Sequence, residues 1–185
     1  MHRPLMYSAP LPSIRSCCRN YRTQVVLSDL IAVERIVLSS GFFSREEVGL
    51  ARELVDERLR KGVKSGYHFL FLELDGQVVG YACFGPVPCT RGAYDLYWIA
   101  VHDAFRGLGL GREILAGAED IVAAMGGKRV YVETSARPQY EPTRIFYRAC
   151  GYREEAVLKD FYAESEDKVV YLKVFKVAGP ESKSE

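Results

Sequence analysis

Residues 94–117 constrain this chain most: Tyr-Asp-Leu-Tyr-Trp-Ile-Ala-Val-His-Asp-Ala-Phe-Arg-Gly-Leu-Gly-Leu-Gly-Arg-Glu-Ile-Leu-Ala-Gly. The apolar run from Leu96 to Val101 has strand character. A short polar connector leads to three alternating glycines, Gly107, Gly109 and Gly111, flanked by Arg106 and Arg112. An apolar pattern of helical period begins there. A strand that enters a glycine turn and then a helix start is suited to hold an anion. The first N–H groups of a helix lack internal partners, and its dipole is positive at that end. Glycines let the backbone bend and approach a phosphate closely.

Spacing decides among phosphate loops. No Lys-Ser/Thr follows the glycines, which excludes a Walker loop, and the Gly-x-Gly-x-x-Gly dinucleotide pattern fails because its third glycine falls on Arg112. The segment does satisfy Arg/Gln-x-x-Gly-x-Gly/Ala, through Arg106, Gly109 and Gly111. On these residues the chain resembles the GNAT superfamily of acyl-CoA-dependent N-acyltransferases. The resemblance implies that Arg106, Gly107, Leu108, Gly109, Leu110, Gly111 and Arg112 wrap the pyrophosphate of acetyl-CoA. It also implies that backbone of Ile99, Ala100 and Val101 pairs with the pantetheine arm.

A second motif lies in the expected order. Phe146-Tyr147-Arg148-Ala149-Cys150-Gly151-Tyr152 matches the family's Phe/Leu-Tyr-x-x-x-Gly-Phe/Tyr. Phe146 and Tyr152 read as packing aromatics. For Tyr147 the resemblance implies a general acid that protonates the departing coenzyme A sulfur. A phenol keeps its proton at neutral pH and can still donate to a nascent thiolate. Amide formation also needs an unprotonated amine, and an amine of pKa about 10.4 is almost wholly ammonium at pH 7. Glu133, in the apolar strand Val-Tyr-Val-Glu-Thr, is the first candidate base, because an acid is costly there without work or a partner. Relatives carry a glutamate there in that role. The structural alternative pairs Glu133 with Arg137 or Arg144. Asp95 is the alternative base; His102, which follows the strand, is a further candidate base but reads rather as a solvent-facing turn residue.

The order of elements follows from pattern. Residues 1–13 are Pro-rich and read as a flexible arm. Residues 14–177 read as one domain and 178–185 as a frayed tail. A strand is expected over 14–23, then a helix capped at Ser28-Asp29 and running to Leu38. Gly41-Phe42-Phe43 breaks it. Ser44 with Glu47 forms a capping box for a second helix. Strands Tyr67–Leu74 and Gln77–Phe84 flank Asp75-Gly76, a two-residue hairpin signal. The strand at 94–102 and a helix from Gly109 to Met125 follow, and Gly126-Gly127 stops that helix. Then come strand Arg129–Thr134, a helix from Pro142 to Ala149, and strands Arg153–Lys159 and Val169–Val177. This is α/β (α+β) and resembles the GNAT fold: a mixed, mostly antiparallel central sheet flanked by helices, with splayed cofactor-binding strands.

A chain of 185 residues with 48% apolar and 26% charged content suits one globular domain. Its formal net charge of +1 argues against nucleic acid or membrane as a general partner. The five cysteines fit no zinc spacing, and no metal is expected. Pro4, Pro10 and Pro12 interrupt any signal-peptide stretch, so the expected location is the reducing cytoplasm.

The expected activity is acetyl transfer from acetyl-CoA to a primary amine by direct attack through a tetrahedral intermediate. A catalytically silent coenzyme A sensor and a purely partner-binding domain are the rivals. The motifs most resemble ribosomal-protein N-terminal acetyltransferases, with two departures. Tyr140 stands where those relatives place an asparagine seven residues before the tyrosine, and the link from Glu133 to Tyr147 is a little longer. The acceptor is expected to be a small-molecule or peptide amine, and a homodimer is compatible with the chain. Gly41-Phe42-Phe43 and the loop 160–167 are expected to face the acceptor, with Phe161 and Tyr162 beside Glu164, Glu166 and Asp167 as a cation seat.

Overall fold

The computed structural model describes residues 18–175. Seven strands form one sheet: β1 (Arg19–Arg22), β2 (His68–Leu74), β3 (Gln77–Pro86), β4 (Ala93–Val101), β5 (Arg129–Ser135), β6 (Arg153–Ala163) and β7 (Glu166–Val174). Four α-helices accompany them: α1 (Asp29–Ser39), α2 (Arg45–Lys61), α3 (Leu110–Ala124) and α4 (Glu141–Ala149). The strand order is β1-β2-β3-β4-β5-β7-β6, with β4 and β5 parallel and every other pair antiparallel. The mixed, mostly antiparallel sheet flanked by helices is thus the architecture expected from pattern. Residues 1–17 and 176–185, including the expected arm and tail, lie outside the described residues.

Each sheet face buries a different helix pair. On one face, α3 sets Leu110, Ile114, Leu115, Ala118 and Val122 against Leu72, Ala82, Leu96 and Val132, and Tyr147 of α4 joins that core. The spacing of the α3 residues is the apolar stripe of a one-sided helix. On the other face, Val33, Ile36 and Val37 of α1 and Val48, Ala51 and Val55 of α2 cover Phe69, Phe71, Tyr81 and Cys83. That second layer reaches only as far as β4. Among the described residues, the same face of β5 and β7 therefore carries no helix.

Local chemistry explains the boundaries. The α2 capping box forms as expected: Glu47 N–H donates to Ser44 Oγ at 3.2 Å and Ser44 N–H to Glu47 at 2.7 Å. Asp75 and Gly76 both have positive φ, 49° and 80°, which matches the twist of a tight hairpin. At α1 the expected Ser28 cap makes no side-chain bond. Ser28 is already helical in its backbone (φ −65°, ψ −17°), and Asp29 anchors the helix start by accepting from Val26 N–H at 2.8 Å and from both ends of the Arg22 guanidinium at 2.8 and 2.9 Å. A fully buried carboxylate needs such partners.

Two further expectations change. Only residues 19–22 of the expected first strand are extended, and 14–17 are outside the described region. The expected loop 160–167 is mostly strand. Residues Arg153–Ala163 and Glu166–Val174 pair as a hairpin that turns at Glu164-Ser165. Its register breaks between Leu158 and Ala163, where Asp160 adopts φ 51°. That irregularity interrupts the alternation by which a strand is read.

Candidate active site

The β4–β5 ladder opens partway along. It pairs Ala93–Leu96 with Arg129–Val132 and stops there. Beyond that point β4 follows β3, with Trp98 to Val101 opposite Cys83 to Gly80. Meanwhile β5 follows β7, with Glu133 to Ser135 opposite Val170 to Lys168. Tyr97 is the extra residue of a bulge on β4, since Cys83 faces Trp98 while Phe84 faces Leu96. Bulges bend and twist the strand that carries them, which helps part the two strands. The result is a slot through the sheet.

Strand alternation tells which backbone groups face the slot. His102 N–H donates to Val79 O across β3 at 2.8 Å. Ala100 therefore points the same way, and Ile99 and Val101 turn their N–H and C=O groups into the gap. Of the three residues expected to meet the pantetheine, these two present backbone polar groups to the gap.

At the end of β4 lies the glycine turn. Gly107 and Gly109 have φ 74° and 82°, a left-handed conformation that side chains disfavour. A Cβ built at either would meet nothing within 4 Å, so the turn opens on free space. Gly109 is the N-cap of α3, and the first backbone bonds to it come from Arg112 and Glu113 N–H. The N–H groups of Leu110 and Gly111 precede those bonds and are free for an anion. The two arginines are engaged at the rim. Arg106 pairs with Asp103 at 3.4 Å and lies over the Phe42 ring, and Arg112 donates to Ala149 O at 3.2 Å.

Tyr147 projects from α4 on the α3 side of the slot. It is 4% exposed and sits in an aromatic cluster with Phe146, Tyr152 and Tyr171, at centroid distances of 5.4, 5.7 and 6.0 Å. Burial pushes its phenol well above the ordinary tyrosine value, so the proton stays on. Arg144, one turn earlier, donates to Ser135 O and Arg137 O at 2.6 and 3.0 Å. That clamp fixes α4 to the end of β5 and so sets where Tyr147 stands.

Glu133 lies on the opposite face. Along β5, Val130 and Val132 enter the α3-side core, whereas Tyr131 and Glu133 point to the uncovered face. Its side chain is 54% exposed and bonds Lys168 Nζ at 2.9 Å. The expected partners are thus both wrong: Arg137 pairs with Glu166 and Arg144 with Glu141. Asp95 opens onto the same cavity as Glu133. Burial raises the Asp95 carboxyl above its ordinary value, and the nearby Glu133 carboxylate pushes it the same way. His102 accepts from Ala104 N–H at 3.3 Å and serves the turn.

The cation seat expected around 160–167 does not form. Lys168 Nζ already lies 3.6 Å from the Phe161 ring centre, Asp167 is bonded to Lys159 at 2.7 Å, and Glu166 faces Arg137 at 3.4 Å. Tyr162 does remain beside the site. Burial raises its phenol, and the charge of Glu133 acts in the same direction. Phe43 packs on Trp98 at 5.1 Å, near the slot.

Lys168 escaped the sequence reading. Its signal is a lone lysine leading the apolar run Val169–Leu172, and it is 7% exposed. No helix among the described residues is long and apolar enough to cross a membrane. Nor does any group of His, Cys, Asp and Glu among them assemble as a metal site.

A strand, a glycine turn with open space over a helix N-terminus, and a slot with a buried tyrosine on one side and carboxylates on the other are the arrangement that the resemblance leads one to expect. The acetyltransferase (GNAT) family model matches residues 35–152, and the chain belongs to that family. A solved structure of a GNAT-family acetyltransferase from Desulfovibrio desulfuricans is 46% identical, with TM-score 0.83, over 85% of this chain and 99% of that one. An uncharacterised N-acetyltransferase of Methanocaldococcus jannaschii is 30% identical over 105 residues, which is 57% of this chain and 65% of that relative's length. The ribosomal-protein-S18-alanine N-acetyltransferase of Escherichia coli shares the fold at 20% identity and TM-score 0.69, over 89% of this chain and 98% of that one.

Proposed function

We propose that the protein transfers an acetyl group from acetyl-CoA to a primary amine. The observation that carries this reading is the division of the slot. The anion cradle and Tyr147 lie on the α3 face, and the carboxylates Asp95 and Glu133 lie on the open face. Donor and acceptor can then meet edge to edge through the sheet without competing for one pocket.

The residues present fit acetyl-CoA. Open space over Gly107 and Gly109 and the N–H groups of Leu110 and Gly111 suit its pyrophosphate. The slot-facing N–H groups of Ile99 and Val101 suit its thioester end. The co-substrate supplies an activated acyl group with a thiolate leaving group. Glu133 takes a proton from the ammonium, which frees the nitrogen lone pair for attack. The N–H of Ile99 or Val101 steadies the oxyanion as the amine attacks. Tyr147 gives its proton to sulfur, so nucleophile, oxyanion and leaving group each have a partner.

A second assignment of the base rests on a specific observation. Asp95 is half-buried and raised in pKa, whereas Glu133 is already held by Lys168. A base works best when tuned toward the operating pH. Glu133 and Asp95 are separable by the pH profiles described below. The overall reading is tested by amine-dependent release of free thiol from acetyl-CoA, with the acetylated amine identified by mass. Binding of acetyl-CoA with no release to any amine supports the silent sensor instead.

A further inference from the structure

The open face carries a cavity of about 530 Å³ along β4 and β5. Its charges are sorted. Asp95 and Glu133 line it at the slot end, and Arg91 and Arg129 line it at the other, with Tyr131 between Arg129 and Glu133 on the strand. Arg129 and Glu133 are four residues apart on one strand, about 13 Å at ~3.3 Å per residue. The charges that act on Asp95 are Glu133, which raises its carboxyl, and Lys168, which lowers it. The ion pairs of this region use other residues: Lys168 with Glu133, Arg137 with Glu166 and Lys159 with Asp167. Among the described residues, Arg91, Arg129 and Asp95 are left without a salt-bridge partner.

We propose that the acceptor is a small amine that also carries an anionic group, a carboxylate or phosphate, held by Arg91 and Arg129 while its nitrogen lies between Asp95 and the thioester. This deepens the acetyl-transfer reading and rests on it. The cavity volume falls in the range of small-ligand sites, roughly 300–1,000 Å³. Guanidinium groups match carboxylate and phosphate oxygens in pairs, and at the rim they can do so without losing all their water. A diamine or polyamine would instead set its second ammonium against two arginines. Tyr131 and the methyl of Ala93 offer an apolar wall for the chain that joins the two charged ends.

The test compares three acceptors of one length: 6-aminohexanoate, hexylamine and 1,6-diaminohexane. Both thiol release and calorimetric binding are read. We expect kcat/KM to be highest for the aminocarboxylate and lowest for the diamine. The Arg91→Gln/Arg129→Gln double variant should lose about five- to tenfold on the aminocarboxylate alone, the size that one or two part-exposed ion pairs supply. Its KM for acetyl-CoA should be unchanged, and the preference should shrink with salt. A length series of aminocarboxylates and aminoalkyl phosphates then distinguishes the two anions. Equal binding of all three amines, or a preference that survives the double variant, overturns the assignment. Selective binding of the aminocarboxylate without thiol release from any acceptor leaves the pocket standing and overturns acetyl transfer.

Discussion

Tyr147→Phe removes one proton and little else. The ring stays in its cluster with Phe146, Tyr152 and Tyr171, whose centroids lie 5.4 to 6.0 Å away. Burial alone leads the upward shift of its phenol, and no hydrogen bond contributes. Deleting the hydroxyl therefore strands no partner, and the melting temperature should hold. A thiolate developing in the same dry surroundings is also more basic than in water, so a phenol of raised pKa still suits it as a donor. Loss of a general acid costs about 10²–10⁴-fold, or roughly 2.7–5.5 kcal/mol in the barrier. The assay is steady-state thiol release at saturating acetyl-CoA, with cofactor affinity measured separately by calorimetry. The fall should sit in kcat, and it should be the same from about pH 6 to 9, because the phenol keeps its proton throughout. A variant within threefold of the parent makes Tyr147 a packing residue. A variant that loses stability or cofactor affinity makes its role structural.

Leu108 is 44% exposed between the two left-handed glycines, so Leu108→Asp should leave the free protein's melting point unchanged. Its carboxylate should abolish most of the acetyl-CoA stabilisation, about 2.7 kcal/mol for the parent at 100 times the dissociation constant; full stabilisation in the variant would place the phosphates elsewhere. Glu133→Gln should lower turnover at pH 7 and recover as pH nears the amine's own pKa, whereas if Asp95 is the base that profile appears in Asp95→Asn instead. A uniform loss in both variants would remove proton transfer from this pair. The raised Asp95 carboxyl means that the native state binds its proton more tightly than the unfolded chain. Stability should thus fall as pH rises from the ordinary value near 3.8 through the raised one, and Asp95→Asn should abolish that fall and melt higher at neutral pH. Arg22→Ala leaves the fully buried Asp29 without its guanidinium and should cost about 3–5 kcal/mol in denaturant unfolding; a loss under 1 kcal/mol would mean that water or Val26 suffices.

Legibility in the sequence follows the range of the interactions. Asp75-Gly76, the Ser44–Glu47 box and the glycine turn at 107–111 are local, and each announces itself within a few residues. The Ser28 cap fails because the Ser28 backbone is itself helical, with φ −65° and ψ −17° rather than the extended conformation a capping side chain needs. The strands at 153–159 and 169–177 are legible, but their extension to a turn at Glu164-Ser165 is hidden because a break in register at Asp160 scrambles the alternation of Phe161 and Tyr162. Tyr147 and Glu133 are individually visible as residues out of keeping with their apolar surroundings. Their placement on opposite faces of the sheet needs the register of β5 against β4 and β7. Partners are the least legible: Lys168 reaches Glu133 across a strand pair 35 positions apart, while the nearer Arg137 and Arg144 are taken by Glu166 and Glu141.

The central claim is that cofactor and acceptor approach the slot from opposite faces. A crystal structure of the protein with a coenzyme A–amine conjugate, joined through an acetyl bridge at sulfur, tests it most directly. The pyrophosphate should lie on the N–H groups of Leu110 and Gly111, the sulfur within hydrogen-bond reach of Tyr147 Oη, and the amine limb should emerge beside Asp95 and Glu133. A conjugate lying wholly on one face, or with its sulfur remote from Tyr147, would contradict it.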